Sequence, residues 1–194
     1  MRRAMKTILA IATAALIYAP VDARAQAEGY VSPWAGVNFA TGGRLDNGRG
    51  SFGVQAGGMG AGGVVGGEVD FGYSPSAFGT QNDFGSNSII NLMGNVIVGV
   101  PIGGTYGKGF RPFVTGGLGL IRTQIDGGTT FRVATSDNNW GWDLGVGAMG
   151  YFNDHVGIRG DLRYFRDLTG NLINGTLDEG TLHFWRLGFG VVIR

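Results

Sequence analysis

The stretch WGWDLGVGAMGYFNDHVGIRGDLRYFR, running from Trp140 to Arg166, decides how the chain folds. On the way in, Trp142, Leu144, Val146 and Ala148 alternate with Asp143, Gly145, Gly147 and Met149. On the way out, Val156, Ile158, Leu162 and Tyr164 alternate with Gly157, Arg159, Asp161 and Arg163. A period of two belongs to a β-strand, whose successive side chains point to opposite faces. Asn153-Asp154 supplies turn residues between the halves. The stretch is therefore a hairpin with one apolar face and one face of charge and glycine. In a soluble sandwich the apolar face would meet a second sheet and the other would meet water, where lone charges among glycines make an odd outer surface. In a membrane barrel the apolar face meets lipid. The other then lines a narrow interior that admits small side chains and compensated charges.

The same alternation recurs on both sides of the hairpin. Strands are expected over 30–39, 51–59, 64–73, 87–100 and 110–124 before it, and over 181–194 after it. With the two strands of the hairpin the count is eight. Most approach the ~9–11 residues that a tilted strand needs to cross the hydrocarbon layer. The links between them, 40–50, 60–63, 74–86, 101–109, 125–139, 152–155 and 167–180, alternate between long and short. An up-and-down barrel with both termini in the periplasm gives long loops outside and short turns inside. A Greek-key sandwich has no reason to produce that regularity. The expected fold is all-β: an eight-stranded antiparallel up-and-down transmembrane β-barrel. Its lipid face is assigned to Val65, Val69, Val96, Val98, Leu144, Val146, Ile158, Leu162, Leu187 and Phe189.

The first residues stand apart from this pattern. Arg2, Arg3 and Lys6 precede an apolar run from Thr7 to Ala19, followed by the small-x-small sites Ala23-Arg24-Ala25 and Ala25-Gln26-Ala27. That layout is a secretory signal peptide over 1–27, leaving 28–194 as the barrel domain. Its removal takes four of the 15 basic residues and one of the 14 acidic ones, so 11 face 13 and the mature net charge is −2. No nucleic-acid footprint survives that balance. Cysteine is absent, which excludes thiolate metal sites and disulfide support. Glycine, at 39 residues, far exceeds the average usage of about 7%. A flexible low-complexity chain would be poor in aromatic and β-branched residues. Here these sit inside the alternating runs, so the glycines read as positional, filling a crowded inner face.

The signal peptide, the eight alternating strands, the run Arg111-Pro112-Phe113-Val114-Thr115-Gly116-Gly117-Leu118-Gly119 and the aromatic closing strand together resemble the small outer-membrane β-barrel family, of the OmpA-barrel and OmpX kind. One departure is the end Val192-Ile193-Arg194, where such barrels usually carry the aromatic residue that resembles the signal read by the barrel-assembly machinery. The resemblance implies the bacterial outer membrane as location. It also implies outer-membrane lipid, lipopolysaccharide and the barrel-assembly machinery as partners, and an extracellular ligand held by the loops.

Catalytic chemistry finds no foothold. Gly58-x-Gly60-x-x-Gly63 and Gly145-x-Gly147-x-x-Gly150 match the dinucleotide template formally, but neither opens a helix. A lipid A deacylase resembles the chain in size and carries a serine two residues after its histidine. Here Gly157 follows His155 and Trp185 follows His183, and no cofactor or metal is expected. Tyr73, Phe110, Trp140, Trp142, Tyr151, Phe152 and Trp185 fall near strand ends and are expected in the interfacial belt. The chemistry that remains is in the lumen, where parity places Glu68, Asp70, Asp143, Arg159, Asp161, Arg163 and Arg186. Enclosed charges must pair, because desolvating an isolated ion costs several kcal/mol. An ion-pair network plugging the barrel is expected, with a structural or surface-interaction role left to four loops. A small porin-like channel or uptake pore is the alternative, and a lipid-modifying enzyme the third reading.

Overall fold

A sheet leaves unpaired N–H and C=O groups along its two edges, and closing the sheet on itself removes both edges. The computed structural model describes residues 28–39, 48–60, 62–75, 87–103, 107–125, 135–168 and 182–194, and in it the chain makes that closure. The strands are β1 (Glu28–Phe39), β2 (Arg49–Met59), β3 (Val65–Pro75), β4 (Asn87–Gly99), β5 (Gly109–Ile125), β6 (Thr135–Tyr151), β7 (Val156–Asp167) and β8 (His183–Ile193). Each pairs antiparallel with the next, and β8 returns to β1 through pairs from Val31↔Ile193 to Phe39↔Trp185. The expected signal peptide, 1–27, and most of each long link lie outside the described residues.

The short turns show their sequence logic directly. Between β6 and β7, Asn153 Oδ1 accepts from the amides of His155 and Val156 at 2.9 and 2.8 Å. Between β2 and β3, Gly62 and Gly63 take φ values of 84° and 66°, in the left-handed region where a Cβ would strain the chain. Glu28 pairs with Met59 and Ile193 with Val156, so both described ends of the chain sit at the short-turn end of the barrel.

Faces follow parity. Val65, Val69, Val96, Val98, Leu144, Val146, Ile158 and Phe189 are exposed on the outer wall, and Leu162 and Leu187 are half-buried among their neighbours there. A wall carrying exposed apolar residues on every strand is made for hydrocarbon rather than water.

Three expectations need correction. Residues 125–139 were expected to form a loop, but β5 runs to Ile125 and β6 starts at Thr135, with Arg122 opposite Asn138 and Ile121 opposite Asn139. Backbone pairing persists there after apolar alternation stops, because polar side chains beyond the hydrocarbon layer need no lipid-facing partner. Second, the interior holds more than charge and glycine. One buried cluster joins Tyr30, Met59, Ile97, Phe113, Met149, Tyr151 and Val192, and another joins Ile89, Met93, Ile121, Phe165 and Phe184. On β4 both faces are apolar, so the inward set Ile89, Met93 and Ile97 is masked by the outward set around it. Third, Tyr151 is buried inside the barrel rather than placed in the belt. Phe110, Trp140 and Phe152 are exposed, and Tyr73, Trp142 and Trp185 are half-exposed.

Candidate functional site: the charged lumen

The seven inward charges come from four strands. β3 supplies Glu68 and Asp70, β6 supplies Asp143, β7 supplies Arg159, Asp161 and Arg163, and β8 supplies Arg186. Each is two residues, or a multiple of two, from the next inward position on its strand, so the pleat alone aims them at the axis. All seven are buried.

They do not form one undivided network. Five of them make a cluster around Glu68. Arg159 approaches Glu68 with both terminal nitrogens, Nη1 at 2.5 Å and Nη2 at 3.2 Å, the bidentate geometry a guanidinium offers a carboxylate. Arg159 Nε also donates to Asp161 Oδ2 at 2.9 Å. Arg163 reaches three acids at once: Glu68 through Nη2, Asp143 through Nη1 at 3.2 Å and Asp161 through Nε at 3.3 Å. The sixth and seventh residues form a separate pair, Arg186 Nη2 to Asp70 Oδ2 at 2.7 Å. Among the described residues no ion pair joins the two groups.

Neutral side chains complete the cluster. The Tyr30 hydroxyl donates to Glu68 Oε2, Gln55 Nε2 donates to Asp161 Oδ2 at 3.3 Å, and Asn91 Nδ2 donates to Asp70 Oδ2 at 3.2 Å. With its amide oriented to satisfy both neighbours, Asn95 donates to Asp143 Oδ1 and accepts from Arg163 Nη1, each at 2.7 Å. Aromatic faces close the layer on either side. Arg159 lies 4.5 Å from the ring centroid of Phe113, and Arg186 lies 4.0 and 4.8 Å from those of Trp34 and Phe165. Phe113 belongs to one apolar cluster and Phe165 to the other, so the charged layer lies between the two apolar clusters.

A second ionic group occupies the short-turn end. Arg111 Nη2 meets Glu28 Oε2 at 2.9 Å and Arg194 Nη1 meets the same oxygen at 3.7 Å. The Tyr151 ring receives both guanidiniums, with centroid distances of 5.8 Å to Arg111 and 3.3 Å to Arg194. Sequence reasoning left Glu28 and Arg111 out of the lumen charges and did not name Tyr30, Gln55, Asn91 and Asn95 as their partners. Parity could have found most of them: Arg111 is out of step with Pro112 and Val114, and Glu28 and Tyr30 are in step with Ser32 and Trp34.

In chemical terms the site joins carboxylates to guanidiniums through short, enclosed hydrogen bonds. Among the described residues, the hydroxyl hydrogen-bonded to its charges is that of Tyr30, which donates to Glu68.

The comparisons fit this architecture. Over 86% of its length the chain superposes on neisserial surface protein A, covering 97% of that barrel with a TM-score of 0.59 at 14% identity. The N-terminal β-barrel domain of Pseudomonas aeruginosa OprF matches with a TM-score of 0.53 at 17% identity, with 87% of this chain and 98% of that one covered. Ail, the attachment invasion locus protein of Yersinia pestis, matches with a TM-score of 0.53 at 14% identity, with 87% and 99% covered. At such identities the likeness is one of fold. No curated protein sequence matches the chain. The model of the outer membrane protein beta-barrel domain spans residues 8–193, and with that span the chain belongs to this family, as a protein of the bacterial outer membrane.

Proposed function

We propose that the protein is a structural and surface-interaction barrel, plugged along its lumen, whose contacts with an extracellular ligand are made by the links 40–50, 74–86, 125–139 and 167–180. Residues 1–27 serve as the export signal, and 28–194 are inserted by the barrel-assembly machinery into a membrane of lipid and lipopolysaccharide. The observation that carries the reading is the fill of the lumen. The side chains of Glu68, Asp70, Asp143, Arg159, Asp161, Arg163 and Arg186 are 4% exposed or less, and they stand between two apolar clusters. An eight-stranded barrel is just wide enough for side chains to fill it, so paired charges capped by Phe, Met and Ile oppose a continuous water path. With transport disfavoured, activity falls to the loops, where binding residues on rigid scaffolds usually lie.

Catalysis is not part of this reading, because the position two residues after each histidine, where the deacylase carries its serine, is Gly157 after His155 and Trp185 after His183. An extracellular ligand has support by analogy of fold, since Ail has been solved with the heparin analogue sucrose octasulfate. The test replaces each long link in turn with a short Gly-Ser turn and measures binding of the refolded barrels to sulfated glycans and extracellular-matrix proteins. Loss of binding with retained heat-modifiable migration is expected for at least one link. Equal binding by all four shortened barrels would sink the loop assignment.

A further inference from the structure

We propose that the wall of the barrel parts reversibly along the seam between β1 and β8, at a break set by Pro33, and that this parting loosens the charged layer behind it. The other seams run through their pairs without a gap. The β1–β8 seam pairs Val31 with Ile193 and resumes at Trp34 with Gly190. Continuing that register places Ser32 opposite Val192 and Pro33 opposite Val191, and neither position is paired. Proline has no N–H to give to a ladder. The Pro33 carbonyl oxygen lies 2.5 Å from where a Cβ on Gly190 would stand, so the polar edge of Pro33 faces β8. In an antiparallel ladder the carbonyl of the residue opposite accepts from that edge. The Val191 carbonyl is therefore aimed at a ring nitrogen that carries no hydrogen. The other prolines of the strands interrupt no seam. Pro75 is the last residue of β3, and the carbonyl of Pro112 accepts from the Val100 amide at 3.0 Å, beyond the end of β4 at Gly99.

The break lies within the lipid-facing band. Val191 is exposed on the wall, as are Ile158, its partner in register, and Val54 and Phe71, which continue the row from Pro33. No water at that depth stands in for the missing donor, so the seam is held more weakly there than its neighbours are. On the inner face the gap is lined by Ser32 and Gly190, a hydroxymethyl group and a hydrogen. The Ser32 hydroxyl is buried and has no hydrogen-bond partner among the described residues. On either side of the gap β1 carries contacts of the charged layer. Tyr30 donates to Glu68, and the ring of Trp34 stands 4.0 Å from the guanidinium of Arg186, which belongs to β8. Moving β1 away from β8 therefore draws Trp34 off Arg186 and Tyr30 off its carboxylate, so the wall and the layer loosen together.

The test is residue-resolved hydrogen exchange by NMR on the full mature chain refolded in detergent micelles. The amides of Val31 and Ala35 share the edge of Pro33 and face β8, whereas those of Thr115 and Gly117 face β6 across an unbroken seam. In the wild type, Val31 and Ala35 should exchange faster than Thr115 and Gly117 by about fivefold or more, the factor that corresponds to one net hydrogen bond. Pro33→Val restores the donor and should slow Val31 and Ala35 by a similar factor. Pro33→Ala restores it without a β-branched side chain and should do the same. Pro112→Val should leave both amides unchanged. The indole resonance of Trp34 should sharpen in Pro33→Val, because its ring then keeps one position against Arg186. Heat-modifiable migration verifies that each variant is folded. Equal protection of the two seams in the wild type, unchanged exchange at Val31 and Ala35 in folded Pro33→Val and Pro33→Ala, or an equal slowing in Pro112→Val would each overturn the proposal.

Discussion

Val146 and Gly147 are neighbours on β6 that face opposite media, and the same kind of substitution fails at each for a different reason. Val146 is exposed on the wall, so Val146→Arg places an unpaired charge against hydrocarbon and should lower barrel stability by about 2–4 kcal/mol. Gly147 faces inward, where an added Cβ would meet Gly160 O at 2.5 Å, Phe113 Cζ at 2.6 Å and Asp161 Cβ at 2.8 Å. Gly147→Ala should therefore fail by crowding although it adds no charge. Urea unfolding of both variants in lipid vesicles checks the pair, and wild-type stability for Val146→Arg would mean that the face is wrongly assigned. In the charged layer the residue that matters most is Arg163. It touches Glu68, Asp143 and Asp161, and its removal would leave three enclosed carboxylates with fewer partners. Arg163→Ala should destabilise the barrel by about 3–5 kcal/mol, the range for breaking a buried pair. Arg186→Ala should do less, since Arg186 pairs with Asp70 alone and its Nε and Nη1 have no hydrogen-bond partner among the described residues. A larger loss for Arg186→Ala than for Arg163→Ala in the same unfolding assay would contradict that ranking.

At the scale of the strand, the alternation of long and short links predicts which hairpin ends face the cell exterior. Epitope tags at Asn47 and Asn174 should be reached by antibody on intact cells, and a tag at Asn153 should be reached after permeabilisation only. Labelling of the Asn153 tag on intact cells would invert the orientation. Strand number, pairing and facing were readable from the sequence because a barrel wall imposes a period of two wherever it crosses lipid. β6 and β7 carry that period plainly, with Leu144 and Val146 out and Asp143 and Gly145 in. The reading weakened where the constraint did. Beyond the hydrocarbon, Asp137, Asn138 and Asn139 remain in β6 without an apolar partner pattern to announce it. On β4, Ile89, Met93 and Ile97 fill the lumen while Val96 and Val98 face lipid, so apolar residues on both faces conceal the inner set. The seven charges of the central layer were found because a lone Arg or Asp among apolar neighbours is conspicuous, whereas Glu28 and Arg111, at strand ends, were not. Their neutral partners Gln55, Asn91 and Asn95 carry no such signal and became visible with the cross-lumen geometry.

Across the whole molecule, the lumen is layered along its axis, and the layering bears on conduction. At the short-turn end Glu28, Arg111 and Arg194 share a level with an apolar cluster around Met59, Ile97 and Met149; the charged layer follows, and beyond it a second apolar cluster around Met93, Phe165 and Phe184. The charged layer holds four acids and three bases, whereas the group at the short-turn end holds one acid and two bases, so the two groups together balance. A selective pore built from charge needs a ring of one sign around water. Here opposite signs are interleaved at hydrogen-bond distance, and apolar side chains stand on either side, which disfavours wetting. The unmodified protein in planar bilayers is therefore expected to conduct ions poorly. Arg159→Ala removes the bidentate partner of Glu68 and the guanidinium stacked on Phe113, and should both destabilise the barrel and raise leak conductance. The opposite outcome has a distinct signature: steady, well-resolved channels from the wild-type protein, with an ion selectivity that changes in Arg159→Ala and Arg186→Ala. That result would mean that the ion pairs open and close as a gate under the conditions of the measurement, and it would replace the plug with a pore whose selectivity is set by Glu68 and Asp70.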